Sequence, residues 1–314
     1  MQKIQRVLIT GSTGFLARYL ISELEKEGNY DIFGITDEDF SSDLHQTYKV
    51  DIRDRQELFK VIRTVKPDKV FHLAAVTNVG FSWKNQKLTY EVNLLGSLNL
   101  FEGLCEAGLQ NSNVLIMSSA EVYGNSSDTI NENTSLSIEN PYSLSKYAME
   151  MLANIFIKSN KMKIIKARAF NFTGPGQDKK FVSSDFAFQI AEIERERKSP
   201  VIEVGNLSAM RDFLDVRDMA RYIKTLNEIG IAGKTYNLCS GELLSIQDIL
   251  DKLLSFSNRI IKVEIDKNKF RPVDIPVLKG DNTLIKKQFE LYPKYHIDTT
   301  LKDILAFWRN NNNE

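Results

Sequence analysis

The chain has 314 residues, 41 Lys and Arg against 41 Asp and Glu, 42% hydrophobic residues and two cysteines. That length supports a large core divided between two parts of one functional unit, and zero formal charge offers no basic surface for nucleic acid or an anionic membrane. Three His without metal-ligand spacing argue against a metal enzyme, and no apolar run has the length of a signal core or a membrane span, so the expectation is a cytoplasmic protein in which Cys105 and Cys239 are buried thiols.

The first apolar run, 6–10, reads as a strand and stops at Gly11. Gly11-Ser12-Thr13-Gly14-Phe15-Leu16-Ala17 follows directly and opens a helix over 15–27. Glycines there permit a tight turn and let the backbone approach a pyrophosphate, while the helix N-terminus offers unpaired N–H groups and a favourable dipole. The spacing is G-x-x-G-x-x-A rather than G-x-G-x-x-G. Its place between a first strand and a first helix predicts a dinucleotide site at Gly11, Thr13, Gly14, Phe15 and Leu16.

A second strand, 30–35, leads into Thr36-Asp37. A carboxylate at that point can accept bonds from both ribose hydroxyls and repel a 2′-phosphate, or cap a turn with Glu38 and Asp39. Neither Arg nor Lys follows until Lys49, so NAD(H) is favoured and NADP(H) stays open. The next helix, 55–65, has Asp54 as N-cap and Glu57 three residues on, with Pro67 at its exit.

Strands over 70–73, 114–118 and 163–170 then alternate with helices over 88–107 and 142–159. Strands alternating with helices predict an α/β fold over 1–170: a doubly wound parallel (Rossmann) sheet covered on both faces, with Val114-Leu115-Ile116-Met117 buried on both sides. After Phe170 the pattern changes at Gly174-Pro175-Gly176. Short strands (201–204, 235–238, 260–265) mix with helices (181–197, 216–227, 246–255, 299–309) over 171–314. This reads as a smaller mixed α/β substrate-binding lobe closing over the sheet edge, with some segments returning to that sheet.

Tyr142 and Lys146, four apart at the start of the helix over 142–159, share one face. A cation there favours phenolate and is expected to draw the Tyr pKa from about 10 toward working pH. A nearby Ser hydroxyl, from Ser118 or Ser119, could hold a substrate oxygen while the Tyr moves its proton. With 11 Tyr in the chain, about one such pair arises by chance, so the surrounding motifs carry the weight.

Those motifs occur in order: Gly11-x-x-Gly14, Asp51-Ile52-Arg53-Asp54, His72-Leu73-Ala74-Ala75, Ser118-Ser119-Ala120-Glu121-Val122-Tyr123-Gly124, Tyr142-x-x-x-Lys146, Arg168-Ala169-Phe170-Asn171-Phe172-Thr173-Gly174-Pro175-Gly176, Gly205-Asn206-Leu207, Arg211-Asp212-Phe213 and Arg271-Pro272. Over nearly the whole chain the series resembles the extended short-chain dehydrogenase/reductases of the NAD-dependent epimerase/dehydratase family, which act on nucleotide sugars. Gly174-Pro175-Gly176-Gln177, Arg211 to Val216 and Tyr236 to Gly241 are most similar to members handling GDP-linked 6-deoxymannose sugars.

The resemblance implies roles for individual residues. Tyr142 is implied as the proton donor or acceptor at the sugar C4 oxygen, Lys146 as the ribose contact, and Ser119, rather than Ser118, as the holder of that oxygen. Asp51 and Ile52 are implied to flank the adenine, and Leu73, Ala74, Ala75 and Phe170 to line the cofactor. Thr77, Asn171, Asn206, Arg211 and Arg271 are implied to meet the substrate, the two arginines binding its diphosphate in pairs of bonds. By residue type alone, each Arg could equally sit in a surface ion pair.

A reductase delivers hydride to a C4 ketone while Tyr142 protonates the oxygen. A 4,6-dehydratase also needs a base for the C5 proton, a role implied for Glu121, whose neighbour Ala120 cannot pass a proton. The expectation is reduction of the C4 ketone of a GDP-4-keto-6-deoxymannose. The alternatives are 4,6-dehydration or epimerisation using Glu121, and a dinucleotide-binding sensor without catalysis. The resemblance further implies a homodimer formed by the helices over 88–107 and 142–159 in a four-helix bundle.

Overall fold

The computed structural model describes residues 4–40, 45–126, 128–270 and 275–311. The chain divides into two compact units, one of residues 1–122, 135–169 and 220–236, the other of 123–134, 170–219 and 237–314.

In the first unit, Gln5–Thr10 (β1), Tyr30–Thr36 (β2), Gln46–Lys49 (β3), Lys69–His72 (β4), Asn113–Ser119 (β5) and Lys163–Ala169 (β6) pair in parallel in the order β3-β2-β1-β4-β5-β6. This is a doubly wound sheet, and its strand order reverses between β1 and β4. Both strands therefore deliver their C-terminal ends, Thr10 and His72, to the switch point where such sheets bind ligands.

The helices are Phe15–Glu25 (α1), Arg55–Val65 (α2), Val79–Lys84 (α3), Gln86–Tyr90 (α4), Gly96–Glu106 (α5) and Pro141–Asn160 (α6). Leu8, Val70, Val114 and Ile116 of the sheet pack with Leu58 and Ile62 of α2, Leu100 and Leu104 of α5, and Met149 and Ala153 of α6. Each of these side chains larger than alanine contributes about 1.5–3 kcal/mol on leaving water.

Asp54 caps α2, accepting from the Gln56 and Glu57 amides. Glu57 does not complete a capping box; its carboxylate pairs with Lys60 one turn on. The helix expected over 88–107 is interrupted. A wide turn at Glu91–Leu95, closed by the Gly96 N–H on the Glu91 carbonyl, separates α4 from α5. Asn93 in that turn is buried, and its amide pins both the N–H and the C=O of Val76. Cys105, expected buried, is half-buried, with its thiol 3.6 Å from Met162 Sδ, while Cys239 is fully buried.

In the second unit, Asn171–Thr173 (β7), Val201–Val204 (β8), Met210–Asp215 (β9), Leu243–Ser245 (β11), Lys262–Ile265 (β12) and Val277–Leu278 (β13) form two small sheets. Thr235–Leu238 (β10) extends the large sheet beyond β6. The helices are Val182–Glu194 (α7), Val216–Ile229 (α8), which crosses from one unit to the other, Ile246–Ser255 (α9), Thr283–Phe289 (α10) and Ile297–Asn310 (α11). Phe186 and Ile190 of α7, Ile249 and Leu253 of α9, and Leu301, Ile304 and Trp308 of α11 make its core. The Trp308 indole reaches the Ser184 hydroxyl at 2.9 Å. Among the described residues no helix is long and apolar enough to cross a membrane.

Candidate active site

The site is built on the first turns of α6. Asn140 caps the helix, accepting from the Ser143 amide at 2.8 Å while the Ser143 hydroxyl accepts from the Asn140 N–H, and Pro141 occupies the first helical position. With the start fixed, Tyr142, Lys146 and Glu150 follow at four-residue intervals along one face. Tyr142 is 8% exposed and Lys146 3%.

Strand β5 ends against this face and supplies Ser118 and Ser119, which take different partners. The Ser119 hydroxyl is hydrogen-bonded to Tyr142 and accepts from the Glu121 N–H at 3.2 Å. The Ser118 hydroxyl donates to Glu150. Ser119 is therefore the serine that shares a proton-handling contact with the tyrosine.

Burial pushes the Tyr142 phenol well above its usual range, partly offset by the Ser119 hydrogen bond and reinforced by the Glu121 carboxylate. The expectation of a phenol drawn below its usual range is thereby corrected, because burial outweighs any pull from Lys146. The Lys146 ammonium lies 5.9 Å from the Tyr142 ring centroid and donates instead to the Met117 carbonyl at 2.8 Å. Burial thus keeps the phenol in its protonated form. Burial lowers Lys146 itself to about 8, against the opposing pull of Glu150.

Glu121 lies in a short helical turn, Ala120–Tyr123, directly after β5. Its Oε2 accepts from the Asn140 side-chain amide at 3.0 Å. The same amide group that caps α6 thus fastens the carboxylate two residues from Ser119.

At the switch point, Gly11 has φ +68°, and a Cβ there would lie 2.9 Å from the Ala74 N and Cα atoms. Only glycine fits this turn. Gly14 precedes α1 without a side-chain cap, which leaves the first-turn N–H groups of an 11-residue helix available to an anion. Thr13 bonds Thr36 at 3.0 Å, tying the loop to the end of β2, where Asp37 is exposed. Phe15 stacks edge-on with Tyr19, and Leu16 is buried.

Leu73 and Ala74 are held by bonds from their N–H groups to the Thr10 carbonyl and hydroxyl. Ala75 is half-buried and Thr77 exposed. Ile52 is buried, while Asp51 is gripped through both oxygens by Arg53, which holds its carboxyl below the usual range. The turn, the uncapped helix start and the oriented backbone fit a dinucleotide pyrophosphate and ribose.

Beneath this surface His72 is fully buried between Thr10 Oγ1 on Nδ1 and Ser97 Oγ on Nε2, each at 2.8 Å. Burial, helped by the Lys146 cation, lowers it to about 3, so the imidazole is neutral and serves to space the sheet from α5.

In the second unit, Asn171 stands opposite Phe213 in the β7–β9 pairing, and Arg211 lies two residues earlier on β9. Arg211 is buried, with Nη1 on the Met210 carbonyl. Asn206 accepts from the Ser208 N–H and hydroxyl, and Phe170 is buried against Tyr123. Arg271 lies outside the described residues. Sequence reasoning left Asn140 and Glu150 without roles. The Asn-Pro pair was a readable helix start, and Glu150 repeats the Tyr142–Lys146 spacing once more.

A doubly wound sheet with a glycine phosphate turn at its switch point and a Ser–Tyr–Lys group beside it defines a dinucleotide-dependent oxidoreductase of the short-chain dehydrogenase/reductase class. The family model described as GDP-mannose 4,6 dehydratase matches residues 8–304. GDP-6-deoxy-D-mannose reductase of Pseudomonas aeruginosa is 32% identical over 246 residues, covering 77% of this chain and 80% of that protein. GDP-6-deoxy-D-talose 4-dehydrogenase of Aggregatibacter actinomycetemcomitans is 29% identical over 278 residues, 88% of each. The solved structure of RMD from P. aeruginosa complexed with NADPH superposes with a TM-score of 0.87 at 28% identity, covering 97% of this chain and 99% of that one. The chain belongs to the GDP-mannose 4,6-dehydratase family, within the extended epimerase/dehydratase group, and is an NAD(P)-dependent oxidoreductase of nucleotide sugars.

Proposed function

We propose that this enzyme reduces the C4 ketone of a GDP-linked 4-keto-6-deoxymannose. The observation that carries the reading is the placement of its acid: Tyr142 and Lys146 share one face of α6, against the end of β5 that carries Ser119. Tyr142 is kept protonated by burial and hydrogen-bonded to Ser119, so it can give a proton to a C4 oxygen held by the same serine. Lys146, charged beside it, stabilises the phenolate left behind. Bound NAD(P)H supplies the hydride. Two relatives named for oxidoreductions of GDP-6-deoxyhexoses, one of them as a 4-dehydrogenase, support the substrate class. The second unit, with Asn171, Asn206 and Arg211, together with Arg271, is proposed to bind the nucleotide sugar.

NAD(H) is the proposed cofactor. Asp37 closes β2 beside Glu38 and Asp39, and Lys49, the first cation after β2, is committed to Asp39 at 2.6 Å. Leu95, Leu144 and Ile155 are exposed on the wide turn and α6, which supports a helix-bundle homodimer; a monomeric mass by light scattering would count against it.

A second reading, 4,6-dehydration, is favoured by the description of the family model and by Glu121 beside Ser119. One assay separates the two. Absorbance at 340 nm should fall when the protein meets GDP-4-keto-6-deoxymannose with NADH, and faster than with NADPH. Glu121→Gln should slow this less than about tenfold, because the fastened carboxylate is not the proton donor, whereas a dehydratase deprived of its base loses about 10²–10⁴. Turnover of GDP-mannose alone, with no net change in NADH, replaces reduction with dehydration.

A further inference from the structure

One helical turn beyond Lys146 lies a buried charge cluster that the proton transfer itself does not use. Glu150 is 1% exposed and is held from three directions. Arg168 on β6 grips it with Nε on Oε1 at 2.9 Å and Nη2 on Oε2 at 2.6 Å, and the Ser118 hydroxyl donates to Oε1. Ser118 is flanked on β5 by Met117, whose carbonyl receives Lys146, and by Ser119, which bonds Tyr142. The cluster and the catalytic group are thus interleaved residue by residue along one strand and one helix face.

A buried ammonium next to a carbonyl dipole pays a large desolvation penalty and tends to release its proton. The fixed charges on the elements packed around Lys146 divide unevenly. His72 on β4 is neutral. On β6, Lys166 reaches Asn154 and Arg168 is spent on Glu150. Glu91 in the wide turn pairs with Arg53 and Lys87, Glu102 on α5 pairs with Arg55, and Lys84 on α3 is exposed. Glu121 is tied to Asn140. On α6 itself, Tyr142 is the protonated acid and Tyr147 is half-buried. Glu150 is the fully buried carboxylate at helical-neighbour spacing from Lys146.

We propose that Glu150 is a positioning residue for the reaction, held by Arg168 and Ser118 so that its carboxylate keeps the buried Lys146 ammonium charged beside Tyr142. The inference rests on the reading of Tyr142 as the proton donor. Its sign is definite. Reduction needs Lys146 charged, so the rate falls as pH rises through the Lys146 midpoint, and loss of Glu150 moves that alkaline limb to lower pH.

The test follows Lys146 directly by ¹³Cε-lysine NMR, the resonance identified by its loss in Lys146→Met, alongside the pH profile of ketone reduction. In Glu150→Gln the Lys146 midpoint, about 8 in the parent, should fall by about one unit, and the alkaline limb with it. Glu150→Asp, which keeps the charge, should restore part of the shift. If Glu150→Gln does not fold, the paired E150Q/R168M variant leaves no buried charge orphaned and should show a smaller downward movement, because loss of the Arg168 cation partly cancels loss of the carboxylate. A folded variant lacking the carboxylate but keeping the parental midpoint overturns the proposal. So does failure of both uncharged variants to fold, which makes the cluster a structural clamp. Should the parent protein not reduce the sugar, the functional reading falls, while the NMR titration still reports on Glu150.

Discussion

Two buried carboxylates, one in each unit, are answered by different means. Glu150 in the first unit meets a full guanidinium and a hydroxyl. Asp212 in the second meets dipoles: the Ser240 N–H and hydroxyl on one oxygen and the Gly241 N–H on the other. Desolvation outweighs those bonds and lifts Asp212 to about 6. Glu150, matched by a cation, stands one helical turn from Lys146. A charge matched by dipoles remains titratable near neutrality and organises a loop rather than a reaction. Glu150 is set beside the proton-handling group, and Asp212 beside a turn.

The sharpest way to break this contrast is at the chemistry. Tyr142→Phe should lower kcat for ketone reduction about 10²–10⁴-fold, with NADH binding and thermal unfolding unchanged; a variant retaining a tenth of the activity would remove Tyr142 as the acid. Next in size is Arg168→Met, which strands Glu150 without its cation. It should cost about 3–5 kcal/mol, read as a large drop in thermal midpoint, and a loss below 1 kcal/mol would show that the ion pair is not what Glu150 depends on. The smallest effect belongs to the second unit. Asp212→Asn turns an N–H toward an N–H donor and should cost about 1–3 kcal/mol.

That last variant also carries a pH signature. The folded Asp212 value, about 6, stands above that of an ordinary carboxylate, so its contribution to stability is fully present below about pH 4 and is lost as pH rises through 6. The stability difference between parent and Asp212→Asn should therefore shrink from pH 5 to pH 7. A difference independent of pH across that range would contradict the dipole-matched carboxylate.

The parts most legible in the sequence are those where apolar periodicity or backbone chemistry speaks alone. The helix Arg55–Val65 was readable to the residue from its cap and apolar spacing, and Ile246–Ser255 from apolar spacing alone. The phosphate turn was readable because a positive φ and close backbone approach call for glycine. Strand β9 was not, because Met-Arg-Asp-Phe-Leu-Asp buries Arg211, Asp212 and Asp215, and polar residues in a core break the pattern that marks a strand. Strand β3, Gln-Thr-Tyr-Lys, is short and largely polar at the sheet edge and left no signal either. The interrupted helix between 86 and 106 is invisible to periodicity, since one wide turn shifts the phase without breaking composition. Within the site, residue types gave Tyr142, Lys146 and Ser119, but the ordering of their proton affinities came from burial, which no spacing encodes.

Asn140 links two parts that could have been independent. Its Oδ1 starts the helix that carries Tyr142, and its Nδ2 restrains Glu121. A serine at this position would still cap α6 but could not donate in the same way to Glu121. A single substitution outside the Ser–Tyr–Lys group could thus unfasten a carboxylate next to the reacting centre while leaving the acid in place. The restraint on that carboxylate is, in this scaffold, one side-chain amide wide.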